Sequence, residues 1–464
     1  MSYDLDVAIM GAGTAGMGAY RTASVLTDRV LLIEDGPYGT TCARVGCMPS
    51  KLLISSAEAA HAVESAHRFG VHAQPPRIDG VAVMDRVKRE RDRFVGFVLE
   101  DVEAWPERHK RRGRARFVDP HTLDIGGEQV TARSIVIATG SRPKVAPDLR
   151  ALGDRLVVND DVFAWDNLPE SVVVFGPGVI GLEIGQALHR LGVRVHVIGL
   201  RGGVGPLADP ELRSIAEKVF SAELPLHTQA TIHSVERVGD RVRVRFSSKG
   251  REFDEEFEYA LAAVGRAPNV DDIGLETTGL QLGPRGVPVY DPRTMQCGDS
   301  HIFVAGDADD VLPILHEASD EGRIAGTNAA SFPNVKPGLR RAPLGIVFTD
   351  PGIMITGDRL YELVGDPPII GRVSFTNQGR SRIMGLNQGA LHLYVERVTG
   401  RFLGAEMVGP RAEHLGHLLA WARQQCLTVD DMLAMPFYHP VIEEGLRTAL
   451  RDASAQLEAS RSTS

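Results

Sequence analysis

The sequence predicts an α/β protein with two Rossmann-like nucleotide-binding domains and a C-terminal α+β domain. Three observations predict it. A short apolar run followed by Gly-x-Gly-x-x-Gly and a helix-like stretch occurs twice, far apart in the chain. The last third lacks any such loop and alternates strand-like runs before turning helical. At 464 residues the chain is too long for one core, so two to four domains are expected.

The first unit reads "DLDVAIMGAGTAGMGAYRTASVLTDRVLLIE". A strand at Leu5–Met10 leads into Gly11, Gly13 and Gly16, a helix follows, and a second strand over Val30–Ile33 ends at Glu34. Gly11 permits the tight turn, Gly13 lets backbone approach a pyrophosphate, and Gly16 lets helix and strand pack closely. The helix N-terminus offers free N–H groups to phosphate, and Glu34 is spaced to hold ribose hydroxyls.

The second unit, "SVVVFGPGVIGLEIGQALHRLGVRVHVIGLR", repeats this with a strand at Val172–Phe175, then Gly176, Gly178 and Gly181, and a strand at Val193–Ile198. Where the first unit has Glu34, this one has Gly199, with Arg201 two residues on. An acid there favours a free 2′-hydroxyl and an arginine nearby accommodates a 2′-phosphate, so NAD and NADP both stay open. Arg201 reads equally as a solvated side chain. Two units suggest two nucleotides, one a resident flavin and one a diffusible nicotinamide. "SIVIATGSRP" reads as a buried strand ending in a turn at Gly140. "SHIFVAGDA" reads as another strand, ending at Asp307, which is placed for a sugar or ribityl hydroxyl and reads alternatively as a helix N-cap.

After residue 340 the runs "GIVFT", "IMITG", "RVSF", "ALHLYVE" and "FLGAEMVG" read as strands, with helices from Arg411 onward. "SRPKVAPDLR" and "FPNVKPGLRRAP" read as crossings between domains. Residues 60–110 carry a helical period read as packing, and Trp105, Trp165 and Trp421 read as core or interface residues. The final "SAQLEASRSTS" reads as a frayed tail. A net charge of −9 argues against nucleic acid and acidic membrane as partners, and "KRRGRAR" reads as a solvated strand edge. No signal peptide and no apolar run of membrane-spanning length is visible, so a cytoplasmic address is expected.

Two of the four cysteines, Cys42 and Cys47, fall within "GTTCARVGCMPSKLL", on either side of what reads as a small loop. Such a pair can staple, bind metal or cycle. A reducing cytoplasm disfavours a staple. Cys297 and Cys426 are lone and distant, which disfavours metal, so no metal is expected. A redox pair is the leading reading. "MPSKLL" reads as a helix start with Pro49 near its first position, and a thiolate there with Lys51 close by has its pKa lowered. In "FYHPVIEEGLRTAL", Pro440 is expected to start a helix, with Glu444 on its first turns reaching back to orient His439 as a base. Taken alone, His439 reads as an ordinary surface or core histidine. The cysteine motif reverses that reading.

Taken together, "TCARVGCMPSKLL", both glycine fingerprints in this order, "VIATG", "VAGD" and "HPVIEEG" resemble the class I pyridine nucleotide–disulfide oxidoreductases over essentially the whole chain. Within that family the chain is most similar to the dihydrolipoamide dehydrogenases. The resemblance implies an FAD-binding domain at 1–149 completed by a central segment at 268–340, an NAD(P)-binding domain at 150–267 and a dimerisation domain at 341–464. It implies that Gly11, Gly13, Gly16 and Glu34 bind the adenosine diphosphate of FAD. Gly140 belongs to the same cofactor site, Ala115 meets the adenine through backbone, and Asp307 meets the ribityl chain. Leu315 and His316 lie along the flavin's far side. Lys51 approaches the reactive flavin nitrogen and pairs with Glu183. Gly176, Gly178, Gly181 and Gly265 line the nicotinamide nucleotide, where Arg201 bears on selectivity. The family's acid at the position of Gly199 is missing.

The implied function is a flavin-dependent disulfide oxidoreductase acting in cell redox homeostasis. Cys42 exchanges with the sulfur of a lipoyl-bearing protein or small dithiol, Cys47 faces the flavin, and the His439–Glu444 dyad moves the proton. In the family this histidine serves the partner subunit, so a homodimer is expected. "CMPSK" favours dihydrolipoamide over glutathione, and the absence of a vicinal C-terminal cysteine pair disfavours mercuric ion. "FYHP" lacks the extra histidine common in lipoamide enzymes. A reductase of disulfides, quinones or other acceptors stays open, as does a docking subunit of a lipoyl-bearing complex.

Overall fold

In the computed structural model, residues 3–462 are described, and the chain divides into two compact units. One unit joins the residues up to Pro49 with Lys88–Lys144 and Arg266–Arg341. The other joins Ser50–Val87, Val145–Gly265 and the residues from Ala342 onward.

The first unit is built on a seven-stranded sheet. Its order is Lys110–Arg112, Val30–Glu34, Leu5–Met10, Glu128–Ile137, Thr122–Ile125 and Ala115–Asp119, and Ile302–Val304 also pairs with Glu128–Ile137. The ten-residue strand Glu128–Ile137 holds it together. Its start pairs antiparallel with Thr122–Ile125, and its end runs parallel to both Leu5–Met10 and Ile302–Val304. Along Leu5–Met10, Val7 and Ile9 enter one core while Ala8 and Met10 enter the other, so both faces are covered and the buried stretch Val7–Met10 is apolar. On the Val7 face the helices Thr14–Leu26 and Leu315–Ser331 cross at close range. A β-carbon at Gly322 would lie 2.1 Å from the Ala15 carbonyl oxygen, and one at Gly326 would lie 2.2 Å from that of Ala19. Only glycine allows this backbone contact.

The second unit holds three sheets. A parallel sheet runs Leu226–His227, Arg194–Ile198, Ser171–Phe175, Tyr259–Ala262 and Leu156–Val157, the order of a nucleotide-binding βαβ fold. An antiparallel meander, Thr231–Val238, Arg241–Ser248 and Arg251–Phe257, buries Val242, Val244, Phe246 and Phe257. A five-stranded antiparallel sheet, Leu344–Val347, Gly352–Gly357, Phe402–Gly409, Ala390–Val395 and Ile369–Ser374, carries the helices Ala412–Gln424 and Glu443–Ser462. Among the described residues no helix is long and apolar enough to cross a membrane.

Local structure departs from the sequence reading in five places. The tail read as frayed continues the helix Glu443–Ser462 through its described residues. The cysteines do not flank a loop: Thr41–Val45 and Cys47–Ser65 are two helices separated by Gly46 alone. Pro440 does not start a helix, because the C-terminal helix begins at Glu443. The strand expected to reach Asp307 stops at Val304, and Asp307 lies in a short 3-10 turn, Gly306–Asp309. Asp307 is therefore inside a turn and not a helix cap. The stretch 60–110 is interrupted, with Cys47–Ser65 and Gly80–Glu103 helical and residues 71–79 irregular. The "KRRGRAR" run does form edge strands, with Arg111, Arg114 and Arg116 paired to Glu128, Asp272 and Glu276.

Candidate active site

Both glycine loops are built to one plan. A β-carbon on Gly11 would lie 2.3 Å from the Ala138 carbonyl oxygen, and one on Gly16 would lie 1.8 Å from the carbonyl oxygen of Gly11. In the second loop the same contacts are Gly176 to Ala263 at 2.4 Å and Gly181 to Gly176 at 1.9 Å. The middle glycines differ in kind. A β-carbon on Gly13 or on Gly178 would meet nothing within 4 Å. Gly13 and Gly178 cap the helices Thr14–Leu26 and Val179–Arg190 without a side-chain hydrogen bond, so each helix start presents bare N–H groups to open space. That is a cradle for a pyrophosphate, and the residues present fit a dinucleotide in each unit.

The first unit holds the further candidate residues Glu34, Ala115, Gly140, Asp307, Leu315 and His316. The Glu34 carboxylate accepts the N–H of Ala12 at 2.6 Å and that of Gly36 at 2.8 Å, which aims it back at the glycine loop. Burial raises its pKa against those two hydrogen bonds. The Gly113 N–H donates to the Glu34 carbonyl, which brings buried Ala115 to the same end of the sheet. Gly140, in the left-handed region at φ +69°, turns the chain after Glu128–Ile137. The next residue, Ser141, donates to Asp307 at 2.6 Å and accepts from Arg266 at 2.7 Å. Leu315 and His316 open the helix Leu315–Ser331, and Leu315 is exposed. Beneath them Arg340 bridges Glu317 and Glu321, and Glu321 also accepts the Gly306 N–H. Burial, with Asp309 close by, pushes the Glu321 carboxyl up despite Arg340.

The cysteine segment belongs to this unit at its N-terminal end. Gly39 and Thr40 have positive φ, and the Thr40 hydroxyl caps Thr41–Val45 by accepting from Ala43. Cys42 is the second residue of that helix and half-buried. Cys47 is the first residue of the next and exposed. At Gly46 a β-carbon would come within 3.1 Å of the Thr41 carbonyl oxygen, so the turn between the helices is tight. Cys297, by contrast, is enclosed, and burial pushes its thiol up to about 12.

The second unit holds the remaining residues. Lys51 lies one turn beyond Cys47 on the same helix. Its Nζ donates to Glu183 Oε2 at 2.7 Å, and Glu183 is only 4% exposed. The other Glu183 oxygen accepts the Phe348 N–H at 2.9 Å, and the ammonium sits 4.6 Å from the centre of the Phe348 ring. Arg201 is exposed in the loop after Arg194–Ile198, and Gly265, at φ +104°, closes the unit. His439 Nδ1 lies 3.0 and 3.1 Å from the two oxygens of Glu444. Glu444 also accepts from Arg447 at 2.9 Å, and the His439 hydrogen bond leads the causes that hold its carboxyl below the usual range. The imidazole is 79% exposed, so its second nitrogen faces outward while the first is held.

Spacing in the chain had not pointed to Ser141, Arg266, Glu321, Arg340 or Phe348. Ser141 and Arg266 directly follow two glycines that were singled out, Gly140 and Gly265, and that adjacency was the available signal. Phe348 reaches Glu183 only through the fold, and nothing local marks it.

Two glycine loops that fit dinucleotides, a pair of cysteines near helix starts and a histidine held by a carboxylate are the features of a nucleotide-dependent thiol oxidoreductase. Comparison agrees. The family described as pyridine nucleotide-disulphide oxidoreductase matches residues 5–322, and its dimerisation domain matches residues 345–450. The chain belongs to this family, whose members use FAD and NAD(P). It is 28% identical over 450 residues to a dihydrolipoyl dehydrogenase of Geobacillus stearothermophilus, covering 95% of this chain and 94% of that enzyme. It is also 28% identical to a mercuric reductase of Bacillus cereus, covering 97% of this chain and 71% of that enzyme. The solved structure of LpdA from Mycobacterium tuberculosis superposes with a TM-score of 0.80 at 25% identity, over 96% of this chain and 98% of that one.

Proposed function

We propose that this oxidoreductase is a dihydrolipoyl dehydrogenase: it oxidises protein-bound dihydrolipoamide through a Cys42–Cys47 couple and passes the electrons to NAD(P)+. The observation that carries the reading is the His439–Glu444 contact. A dithiol donor must lose a proton before its sulfur attacks, and the dyad supplies a base held in one orientation. With Nδ1–H given to Glu444, Nε2 is left to accept that proton. The thiolate then attacks Cys42 Sγ, and the Cys42–Cys47 bond breaks with Cys47 leaving as a thiolate. The second substrate thiol displaces Cys42, closing the substrate disulfide and leaving both enzyme sulfurs reduced. The chemistry FAD would supply here, when bound, is two-electron acceptance from such a thiol pair and hydride exchange with the nicotinamide. Gly11, Gly13, Gly16, Glu34, Ala115, Gly140, Asp307, Leu315 and His316 would hold it. Gly176, Gly178, Gly181, Arg201 and Gly265 hold the nicotinamide nucleotide. Lys51, its charge balanced by Glu183, would supply a cation for that redox step.

The exposed His439 suits a two-fold homodimer in which it serves the couple of the other subunit, and a cytoplasmic setting keeps the couple reducible. A second reading, an NAD(P)H-dependent reductase of a disulfide, quinone or other acceptor, is favoured by the equal likeness to a mercuric reductase. A substrate panel on the purified holoenzyme separates them: dihydrolipoamide, oxidised glutathione and a quinone, each with both nicotinamides. Dihydrolipoamide turnover that disappears in Cys47→Ser while flavin stays bound supports the first reading. Quinone or glutathione turnover without dihydrolipoamide turnover replaces it with the second.

A further inference from the structure

The two nucleotide units differ at one coupled pair of positions. In the first, Glu34 ends the second strand and accepts the N–H of Ala12, the residue between the first two glycines. In the second unit the corresponding residues are Gly199 and Pro177. Proline has no N–H, so an acid at 199 would lose the donor that satisfies Glu34. Its ring also fills the space. A β-carbon at Gly199 would lie 2.6 and 2.7 Å from Pro177 Cγ and Cδ, and 3.2 Å from the Thr228 carbonyl oxygen.

Neither side can retreat. The Gly199 N–H donates to the His227 carbonyl at 2.7 Å, and its own carbonyl accepts from Ala230 at 2.8 Å. The Pro177 carbonyl accepts the Gly205 N–H at 2.7 Å, and Pro177 follows a glycine already pressed against Ala263. An acid for the ribose 2′-hydroxyl is thus excluded by packing as well as by sequence. The loop that follows, residues 199–208, contains no acidic residue and one charged side chain, Arg201, which is exposed. Gly202, at φ +72°, fixes the backbone beside it through an N–H to the Thr228 carbonyl at 2.8 Å.

We infer that the second nucleotide site selects NADP(H) over NAD(H), with Pro177 and Gly199 excluding the hydroxyl-binding acid and Arg201 receiving the 2′-phosphate. This deepens the proposed function and rests on its placing a nicotinamide nucleotide at the second unit. Removing the acid relieves repulsion of a dianion, and a guanidinium supplies two parallel donors to it.

The test uses the oxidised holoenzyme, whose first unit is filled, and titrates 2′,5′-ADP and ADP by calorimetry. The expected result is at least ~10-fold tighter binding of 2′,5′-ADP, equivalent to about 1.4 kcal/mol. Arg201→Gln should remove most of that advantage. Pro177→Ala/Gly199→Glu should reverse the preference. Equal affinity of the wild-type protein for the two ligands overturns the inference without any variant. Anaerobic bleaching of the flavin by NADPH and NADH is read separately. If neither bleaches it, the proposed function fails. If NADH bleaches it well and 2′,5′-ADP shows no advantage, only the selectivity fails.

Discussion

Alanine placed at Gly13 and at Gly16 tests whether the first glycine loop is built for its ligand or only for the fold. At Gly16 the new methyl would sit 1.8 Å from the Gly11 carbonyl oxygen and 2.8 Å from its carbon. Ordinary contact begins near 3.4 Å, so helix and loop must separate by roughly 1.5 Å, about one residue's rise along a helix. Overpacking of this kind costs about 1–3 kcal/mol, and here it falls on backbone with no rotamer to yield. At Gly13 the same methyl meets no protein atom within 4 Å, and φ is −75°, which alanine adopts freely. The lost flexibility of the unfolded chain and the poorer helix cap roughly cancel, so the apoprotein should change by less than about 1 kcal/mol. The methyl does occupy the space a pyrophosphate would enter, and we expect FAD affinity to fall by at least ~100-fold, about 2.7 kcal/mol. Thermal unfolding of the apoproteins, beside flavin content and FAD titration, reads both effects. Gly16→Ala should lose stability as well as flavin, and Gly13→Ala flavin only. Full, undiminished flavin in Gly13→Ala would refute the cradle.

Glu444→Gln should slow dihydrolipoamide oxidation by roughly 100-fold, the usual scale of general-base assistance, while stopped-flow bleaching of the flavin by reduced nicotinamide keeps its rate. Equal loss in both half-reactions would remove the dyad from the thiol step. Burial alone would raise Asp209, but the hydrogen bond and charge of His392, with the N–H groups of Leu212 and Glu211, hold its carboxyl at about 2. Its folded-state pKa is depressed, so its stabilisation is complete above the unfolded value near ~3.9 and fades as pH falls toward 2. Urea midpoints of wild type and Asp209→Asn should therefore converge as pH falls from about 4 to about 2, and a constant gap would contradict the assignment. Iodoacetamide at pH 8 should modify exposed Cys426 and spare Cys297, as peptide mapping would show; labelling of Cys297 in the native protein would mean its enclosure is wrong.

What the sequence could reveal follows from the range of the forces involved. The βαβ units were legible because their physics is local. Turn, helix start and strand end lie within some thirty residues, and Gly16 and Gly181 each answer to a backbone contact inside that span. The pairing of Lys51 with Glu183 spans 132 positions, and that of His439 with Glu444 spans five. The first was anticipated only through resemblance, whereas the second was readable from its short spacing around Pro440. Helix boundaries were less legible. Pro440 has the fixed φ of a helix start, but the Ile442 carbonyl caps the turn by accepting from Gly445, and regular helix begins only at Glu443. The strand into Asp307 was read too long because "HIFVAGDA" is apolar past its last ladder bond. Chain direction changes at Gly306, at φ +69°, where a β-carbon would strike Ala15.

The cluster around Asp209 shows what remains invisible until distant strands are assembled. Asp209 caps the helix Pro210–Ser221, and that much is readable as Asp-Pro at a helix start. His392 and Tyr394 reach the same carboxylate from one strand, while Glu406 on the next accepts the N–H groups of Ala208 and Asp209 at 2.6 and 3.1 Å. All four side chains are almost fully buried, a costly arrangement unless each polar atom is matched. Its consequence is positional. The loop carrying Arg201 is pinned at its start by Gly199 and at its end by Asp209, so the residues between them are held at both ends while Arg201 faces solvent. The two units thus share the contacts of their outer glycines and differ at one pair of positions, Ala12 with Glu34 in the first and Pro177 with Gly199 in the second. Proline at 177 and glycine at 199 go together: an acid at 199 would lack an N–H donor from Pro177, and its β-carbon would meet the proline ring.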